Sequence, residues 1–153
     1  MPMLRRTALV AIATLATATG AAAATSQSTP GPDHLVGTPG SDRILGRGGD
    51  DRIQGRAGDD HLIGGRGNDT IFGDTGNDVI SGGPGNDTLL GGSGRDRITG
   101  GSGQDTIVAG ISNDTVRARD GEVDRITCGP GRDKVSADPQ DDVAKDCESV
   151  VRG

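Results

Sequence analysis

Residues 37–117 read GTPGSDRIL, GRGGDDRIQ, GRAGDDHLI, GGRGNDTIF, GDTGNDVIS, GGPGNDTLL, GGSGRDRIT, GGSGQDTIV and AGISNDTVR, which are nine consecutive units of nine residues. The sixth position of every unit is Asp, and the eighth position is Ile, Leu or Val. Self-similarity at a short fixed period is the signature of a stacked solenoid. The sequence therefore predicts a solenoid in which each unit contributes one carboxylate and one aliphatic side chain.

The first six positions of a unit have the composition of a tight turn. Glycine at the first and fourth positions of the first eight units permits positive φ and close backbone approach. Asn or Asp at the fifth position of most units also tolerates left-handed backbone. The last three positions alternate outward, inward and outward, as in a strand. We expect two units to make one coil, so that each unit stacks on the unit after the next.

Stacking at strand spacing, about 4.8 Å, brings the Asp side chains of alternate units together. Like charges repel strongly in a partly dry site, and turn carbonyls add further oxygen atoms. Such a cage suits calcium better than magnesium, because calcium accepts six to eight oxygens without strict octahedral geometry. Asp also favours turns without any metal, but local preference does not explain nine in register. The predicted ligands of several calcium ions are Asp42, Asp51, Asp60, Asp69, Asp78, Asp87, Asp96, Asp105 and Asp114.

The pattern GGxGxDxUx, seen in the units that start at Gly64, Gly82, Gly91 and Gly100, resembles the RTX, or haemolysin-type, calcium-binding nonapeptide repeat. The resemblance implies an all-β fold, a parallel β-roll that is a calcium-stabilised β-solenoid. It also implies that calcium lies between successive turns, held by the Asp carboxylates and by turn carbonyls. These carbonyls are expected near Gly64, Gly67, Gly82, Gly85, Gly91, Gly94, Gly100 and Gly103.

Several units depart from this pattern, and we expect their sites to be less well formed. Thr38, Arg47, Arg56 and Asp74 stand at the second position, and the last unit has Ala109 at the first position and Ser112 at the fourth. The best-formed sites are therefore predicted from Asp69 to Asp105. Because each unit offers only one aliphatic side chain for the core, we expect the chain to be disordered without calcium.

Residues 1–24 have the composition of a secretory signal peptide. Arg5 and Arg6 precede a modest apolar stretch, and small residues near Ala24 offer a cleavage site. The stretch is too short and too weakly apolar to span a membrane. We therefore expect a protein secreted to the extracellular space, with residues 25–36 as a linker or disordered segment. The Arg pair leaves open whether export uses the general or the twin-arginine route.

The charge of the predicted mature chain argues against nucleic acid and anionic membranes as partners. The full chain has 22 acidic and 16 basic residues and a net charge of −6, and loss of Arg5 and Arg6 changes this to −8. The sequence contains no HExxH motif and no credible Ser-His-Asp arrangement. We therefore predict a protein that is not an enzyme.

Residues 118–153 are predicted to form a C-terminal cap that continues the coil, because a solenoid needs an atypical end. The segments at 124–126 and 133–135 keep the Asp-x-aliphatic spacing after a slip of one residue. Cys128 and Cys147 in an exported chain favour one disulfide that pins this cap. Metal ligation and free thiols are the alternatives.

Two function classes remain. The first is a secreted calcium-binding repeat protein that folds on calcium and acts as an extracellular structural or interaction module. The second is a surface- or ligand-binding protein that uses one flat face of the roll to hold a cell-surface or protein partner. An uncharged Thr and apolar patch is typical of contact sites, although the same residues also suit strands for local reasons. Residues eighteen apart place on that face Thr70, Phe72, Thr88, Leu90, Thr106 and Val108.

Overall fold

The computed structural model describes residues 12–13 and 28–153. The strands follow one another as β1 (Ile12–Ala13), β2 (His34–Val36), β3 (Arg43–Gly48), β4 (Arg52–Ala57), β5 (His61–Arg66), β6 (Thr70–Thr75), β7 (Val79–Pro84), β8 (Thr88–Ser93), β9 (Arg97–Ser102), β10 (Thr106–Ile111), β11 (Thr115–Ala118), β12 (Arg125–Thr127), β13 (Lys134–Ala137), β14 (Asp142–Val143) and β15 (Ser149–Arg152). In this part of the chain no helix is long and apolar enough to cross a membrane.

The strands alternate between two parallel sheets. One sheet has the order β1-β2-β4-β6-β8-β10-β12-β14, and the other has the order β15-β13-β11-β9-β7-β5-β3. Residues eighteen apart are Cα partners, as Ile71 is of Leu89. Two nonapeptides therefore make one coil, and each unit stacks on the unit after the next. This confirms the predicted all-β parallel β-roll.

The core is a double column of eighth-position side chains between the two sheets. Each of these side chains is at most 2% exposed along the column Leu35, Ile44, Ile53, Leu62, Ile71, Ile80, Leu89, Ile98, Ile107, Val116, Ile126 and Val135. Alternation in a strand sends the neighbouring seventh and ninth positions outward. The core is therefore one side chain wide in each sheet, and the turns on either side of it carry the remaining buried groups.

The strands are longer than the predicted three residues. A typical strand, such as β8, contains the last three positions of one unit and the first three of the next. In most turns the second position then has positive φ, even where it is not glycine: φ is 78° at Arg47, 82° at Arg56 and 69° at Asp74, whereas Thr38 is an exception. The backbone therefore bends after the first position, and the pairing between strands continues into the turn.

The fifth position also differs from its predicted left-handed role. Within residues 28–153, no fifth-position Asn or Asp has positive φ. Instead, the side-chain oxygen accepts a hydrogen bond from the backbone N–H eighteen residues later: Asn68 N–H donates to Asp50, and Asn86 N–H donates to Asn68, each at 2.8 Å. Asn and Asp occur there because either side chain offers this oxygen to the next turn.

The N-terminal boundary of the roll lies earlier than predicted. Residues 28–36 read STPGPDHLV, and their strand β2 pairs with β4. Leu35 is 0% exposed and Asp33 is 4% exposed, as expected for the eighth and sixth positions of a repeat unit. This segment is therefore a further unit and not the linker predicted for residues 25–36. Strand β1 pairs with β2, and the rest of the predicted signal peptide lies outside the described residues, as do residues 25–27.

At the C-terminal end, strands β12 to β15 extend both sheets. Asp124 receives the backbone N–H of Asp105 across nineteen residues instead of eighteen, because the intervening unit has one extra residue. Cys128 and Cys147 form a disulfide with a Cα–Cα distance of 5.2 Å, as predicted. The disulfide links Cys128, which follows β12, to Cys147, which precedes β15.

Reduction of this disulfide is expected to lower the stability of the calcium-loaded protein by about 3 kcal/mol, because the bond closes a loop in the unfolded chain. The two cysteines are 19 residues apart. Urea unfolding of the oxidised and reduced forms measures the change. Hydrogen exchange should locate the loss in β13 and β15 and leave β5 to β8 protected, since each rung contacts only its neighbours. Equal urea midpoints for the two forms would contradict the prediction.

Candidate calcium sites

The sixth-position Asp side chains form one buried column at each edge of the roll. The turns 37–42, 55–60, 73–78, 91–96 and 109–114 make the first edge, and the turns 46–51, 64–69, 82–87 and 100–105 make the second edge. All nine predicted Asp ligands lie in these columns, and none is more than 4% exposed. The two-unit coil causes this arrangement, because consecutive turns fall on opposite edges.

From Asp51 to Asp114, one carboxylate oxygen of each sixth-position Asp joins the stacked turns. The backbone N–H of Asp69 donates to Asp87 Oδ1 at 2.8 Å, and that of Asp87 donates to Asp105 Oδ1 at 2.9 Å. On the first edge, Asp78 N–H donates in the same way to Asp96 Oδ1 at 2.8 Å. Each turn is therefore hydrogen-bonded to the carboxylate of the turn above it.

The second oxygen, Oδ2, is buried and has no hydrogen-bond partner. A buried carboxylate oxygen without a donor or a cation costs several kcal/mol by general estimates. Repetition of the same atom in turn after turn points to one kind of ligand, repeated along each edge. The atoms concerned are Oδ2 of Asp51, Asp60, Asp69, Asp78, Asp87, Asp96, Asp105, Asp114, Asp124 and Asp133.

Backbone carbonyls face these oxygens. In the gap between turns 64–69 and 82–87, the carbonyl oxygens of Gly65 and Gly67 lie where Cβ atoms on Gly83 and Gly85 would be. From the upper turn, the Gly82 carbonyl lies 2.8 Å from the Cβ position of Gly64. That same position overlaps Oδ2 of Asp69. Oxygen atoms from both turns thus line the space that the missing β-carbons leave.

This donor set fits calcium. Within residues 12–13 and 28–153, no three His, Cys, Asp or Glu side chains converge on one point. The oxygens around a gap are therefore mainly backbone carbonyls, with the carboxylate of the turn beside them. Calcium accepts both kinds of oxygen at 2.3–2.6 Å in a flexible geometry. The first-position glycines from Gly37 to Gly100 give the space for this arrangement, since a β-carbon built on any of them would collide with the carboxylate of the same turn.

Burial raises the pKa values of the column. Burial raises the pKa of Asp96 to about 7, the backbone N–H of Asp78 opposes this, and the charges of Asp78 and Asp114 add to it. For the same leading reason the pKa of Asp87 is about 6. A raised folded-state pKa favours folding of the metal-free chain at low pH, and this contribution is lost as the pH rises through 6 to 7. At neutral pH the ionised column opposes folding unless a cation balances it.

Asp42 differs from the other eight predicted ligands. The Thr38 hydroxyl donates to its carboxylate at 3.0 and 3.2 Å, and the Thr38 backbone N–H donates to Oδ2. Thr29 makes the equivalent contacts with Asp33. Threonine at the second position therefore satisfies the carboxylate with protein donors, and these two turns lack the unpartnered oxygen of the others.

Asp124 and Asp133 were missed as candidate ligands. Both have an unpartnered buried Oδ2, and Asp133 Oδ1 receives the backbone N–H of Asp114 at 2.7 Å. Their Asp-x-aliphatic spacing was visible in the sequence, but we interpreted it only as a sign of a cap. Their first positions are Ala118 and Cys128, so these two turns, like the turn of Asp114 with Ala109, have a β-carbon where the other turns have glycine.

A family model of the RTX calcium-binding nonapeptide repeat matches the chain in four copies, at residues 28–62, 46–80, 54–89 and 81–116. These matches span more than half of the chain, and the chain belongs to this family. It is a calcium-binding repeat protein. The first match begins at residue 28 and includes strand β2, which pairs with β4. Searches of the curated proteins and of the solved structures found no match.

Proposed function

We propose that this protein is secreted, that calcium drives the folding of its roll, and that the folded roll is an extracellular structural or interaction module without enzymatic activity. One observation carries the proposal: a buried carboxylate oxygen without a donor recurs in eight successive turns from Asp51 to Asp114. Bound calcium would neutralise these carboxylates and link each turn to the one above it. The chain's own carbonyls and glycines shape the gaps that receive the ions.

The gaps between stacked turns differ in the residue that stands at the second position of each turn. On the second edge, Gly65, Gly83 and Gly101 stand at the second position of successive turns. On the first edge, Thr38, Arg56 and Asp74 carry side chains at that position, whereas on the second edge Arg47 alone does. We therefore propose that the second edge binds calcium more tightly. The proposed ligands are the turn carbonyls with the carboxylates of Asp51, Asp60, Asp69, Asp78, Asp87, Asp96, Asp105 and Asp114.

Two features support an extracellular location. Residues 1–24 have the composition of a signal peptide. The Cys128–Cys147 disulfide is the kind of bond that persists in oxidising compartments. Calcium at the high concentrations found outside cells suits extracellular modules, which bind it at about 10⁻⁴–10⁻³ M.

A second candidate function uses the Thr and apolar face for a cell-surface or protein partner. The register places Thr88 between Thr70 and Thr106, and Leu90 between Phe72 and Val108. This observation favours a flat contact surface of three rungs. An arginine flanks this face at each end. The Arg52 guanidinium carbon lies 4.5 Å from the centroid of the Phe72 ring, and Arg125 is the Cα partner of Thr106.

Calcium titration of the chain without residues 1–24 tests the main proposal. We expect circular dichroism to change cooperatively from coil to β structure, with a midpoint of about 10⁻⁴–10⁻³ M, because each rung supports its neighbours. A chelator should reverse the change. Magnesium is the matched control and should act much more weakly, since it demands octahedral geometry and keeps its water. A β signal that survives chelation would contradict the proposal.

A further inference from the structure

The surface of the folded roll has the opposite charge to the chain. Thirteen of the 22 acidic side chains are buried, which leaves nine on the surface. The chain has 16 basic side chains, and the 14 that remain without Arg5 and Arg6 include none that is buried. The net charge of −8 of the predicted mature chain argued against nucleic acid and anionic membranes as partners. Because the roll hides its carboxylates in the turns, its accessible surface is basic.

Five of the basic residues form one ladder along the roll. Arg95 and Arg97 lie on one rung, Arg117 lies on the next, and Arg132 and Lys134 lie on the third. The register supports this order, since Thr115 is the Cα partner of both Arg97 and Lys134. We call these five residues the basic ladder. They occupy the fifth, seventh and ninth positions, which face outward.

No carboxylate neutralises the basic ladder. Its guanidinium and ammonium groups make no hydrogen bond and no ion pair within residues 28–153, where the salt bridge is Arg125 to Asp142 at 3.5 Å. The acidic residues of the same rungs point inward: Asp96 and Asp114 are 1% exposed, and Asp133 is 0% exposed. The charges therefore alternate between an outward cation and an inward carboxylate.

A groove accompanies the first two rungs of the ladder. It is lined by Asn77, Val79, Arg95, Arg97, Asn113 and Thr115, together with Asp78 and Asp96, which are each only 1% exposed. Amide and hydroxyl groups thus lie between the cations, and the side chain of Val79 adds an exposed apolar surface at 39%. Such a mixture offers hydrogen bonds to hydroxyl groups and ion pairs to acidic groups in the same place.

We propose that the basic ladder binds an acidic polysaccharide, a carboxylate-bearing sugar chain that lies along the roll axis. Arg guanidinium groups bind carboxylates through paired, charge-assisted hydrogen bonds. Single-stranded nucleic acid fits less well, because its binding sites use aromatic side chains for stacking. The chain has no Trp or Tyr, and its one Phe, Phe72, lies on the other sheet.

Calcium controls this site without touching the polymer. The ladder residues are spread from position 95 to position 134 and come together only in the folded roll. In the unfolded chain they would be mixed with all 22 acidic residues. The inference therefore rests on the proposed calcium-dependent folding, and a test must follow folding and binding separately.

The test compares two double variants on immobilised hyaluronate in calcium, with neutral dextran and single-stranded DNA as parallel supports. Arg95→Ser with Arg97→Ser should bind hyaluronate about tenfold to hundredfold more weakly, because two charge-assisted contacts are lost. Arg43→Ser with Arg66→Ser removes the same charge outside the ladder and should bind as the parent does. The parent should not bind dextran, and added salt should release it from hyaluronate.

Circular dichroism of each variant separates the outcomes. If calcium does not fold the parent, the proposed function fails, and the inference fails with it. If the parent folds but does not bind hyaluronate, the inference alone is overturned. Equal loss in both double variants would show a diffuse charge effect, and unchanged binding of Arg95→Ser with Arg97→Ser would show that these arginines do not hold the polymer. Either result overturns the proposed site. Tighter binding to DNA than to hyaluronate overturns the choice of a polysaccharide.

Discussion

Gly85→Ala is expected to abolish calcium-induced folding of the central coils. Gly85 has φ of 142°, and a β-carbon there would overlap the carbonyl oxygen of Gly67 and lie 3.3 Å from the backbone N of Asn68. Both atoms belong to the backbone of the turn below, so relief requires the two turns to separate. Separation would break the ladder and move the Gly67 carbonyl away from the gap that we propose for calcium.

Gly121→Ala is the matched control. Gly121 also has positive φ, at 92°, but no heavy atom lies within 4 Å of its Cβ position. It should therefore lose only about 1–2 kcal/mol, the general cost of left-handed backbone for a residue with a side chain. Circular dichroism during calcium titration, followed by urea unfolding in calcium, measures both variants. If Gly85→Ala folded at the calcium midpoint of the parent, the close stacking of the turns would be wrong.

The period of the sequence was sufficient to predict the coil, the stacking and the columns of carboxylates. Asp at the sixth position and an aliphatic residue at the eighth position recur every nine residues, and parallel stacking follows from burying one side chain per strand. The contacts inside a turn were less predictable. An Asn such as Asn68 is favoured at the fifth position both by left-handed backbone and by a hydrogen bond of the kind that its side chain accepts from the Asn86 N–H. Local propensity does not distinguish these roles.

Other features were not predicted because the composition of a segment was given more weight than its position in the nine-residue repeat. Residues 28–36 are rich in Ser, Thr and Pro, which indicated a linker, yet STPGPDHLV shares Thr, Pro, Gly and Asp with GTPGSDRIL at matching positions. Thr38 gave no sign that it would donate to Asp42, because that contact depends on the turn geometry. Net charge likewise carries no information about which carboxylates are buried.

Asp87→Asn is expected to change stability in opposite directions with and without calcium. The amide oxygen can still accept the Asp69 N–H that now donates to Oδ1 at 2.8 Å. The substitution removes a buried charge, and burial has raised the pKa of that carboxyl to about 6. Without calcium at neutral pH, the variant should therefore fold more readily. With calcium, it lacks a proposed ligand, and its affinity should fall by more than the about 10–100-fold cost of losing an outer-shell partner.

Two matched variants separate these effects. Asp59→Asn removes an exposed charge at the fifth position, where Asn occurs naturally in other units. The Asp59 charge contributes less than burial to the raised pKa of Asp60 and of Asp78, so both properties should change far less than in Asp87→Asn. Asp42→Asn should leave the calcium midpoint close to that of the parent, because Thr38 already satisfies that carboxylate. Calcium titration gives the midpoints, and folding of the metal-free chain with an excluded osmolyte gives the other measurement. A lower osmolyte requirement together with a higher calcium requirement is expected for Asp87→Asn alone. A calcium midpoint equal to that of the parent would remove Asp87 from the ligands, and a higher osmolyte requirement would mean that its charge does not oppose folding.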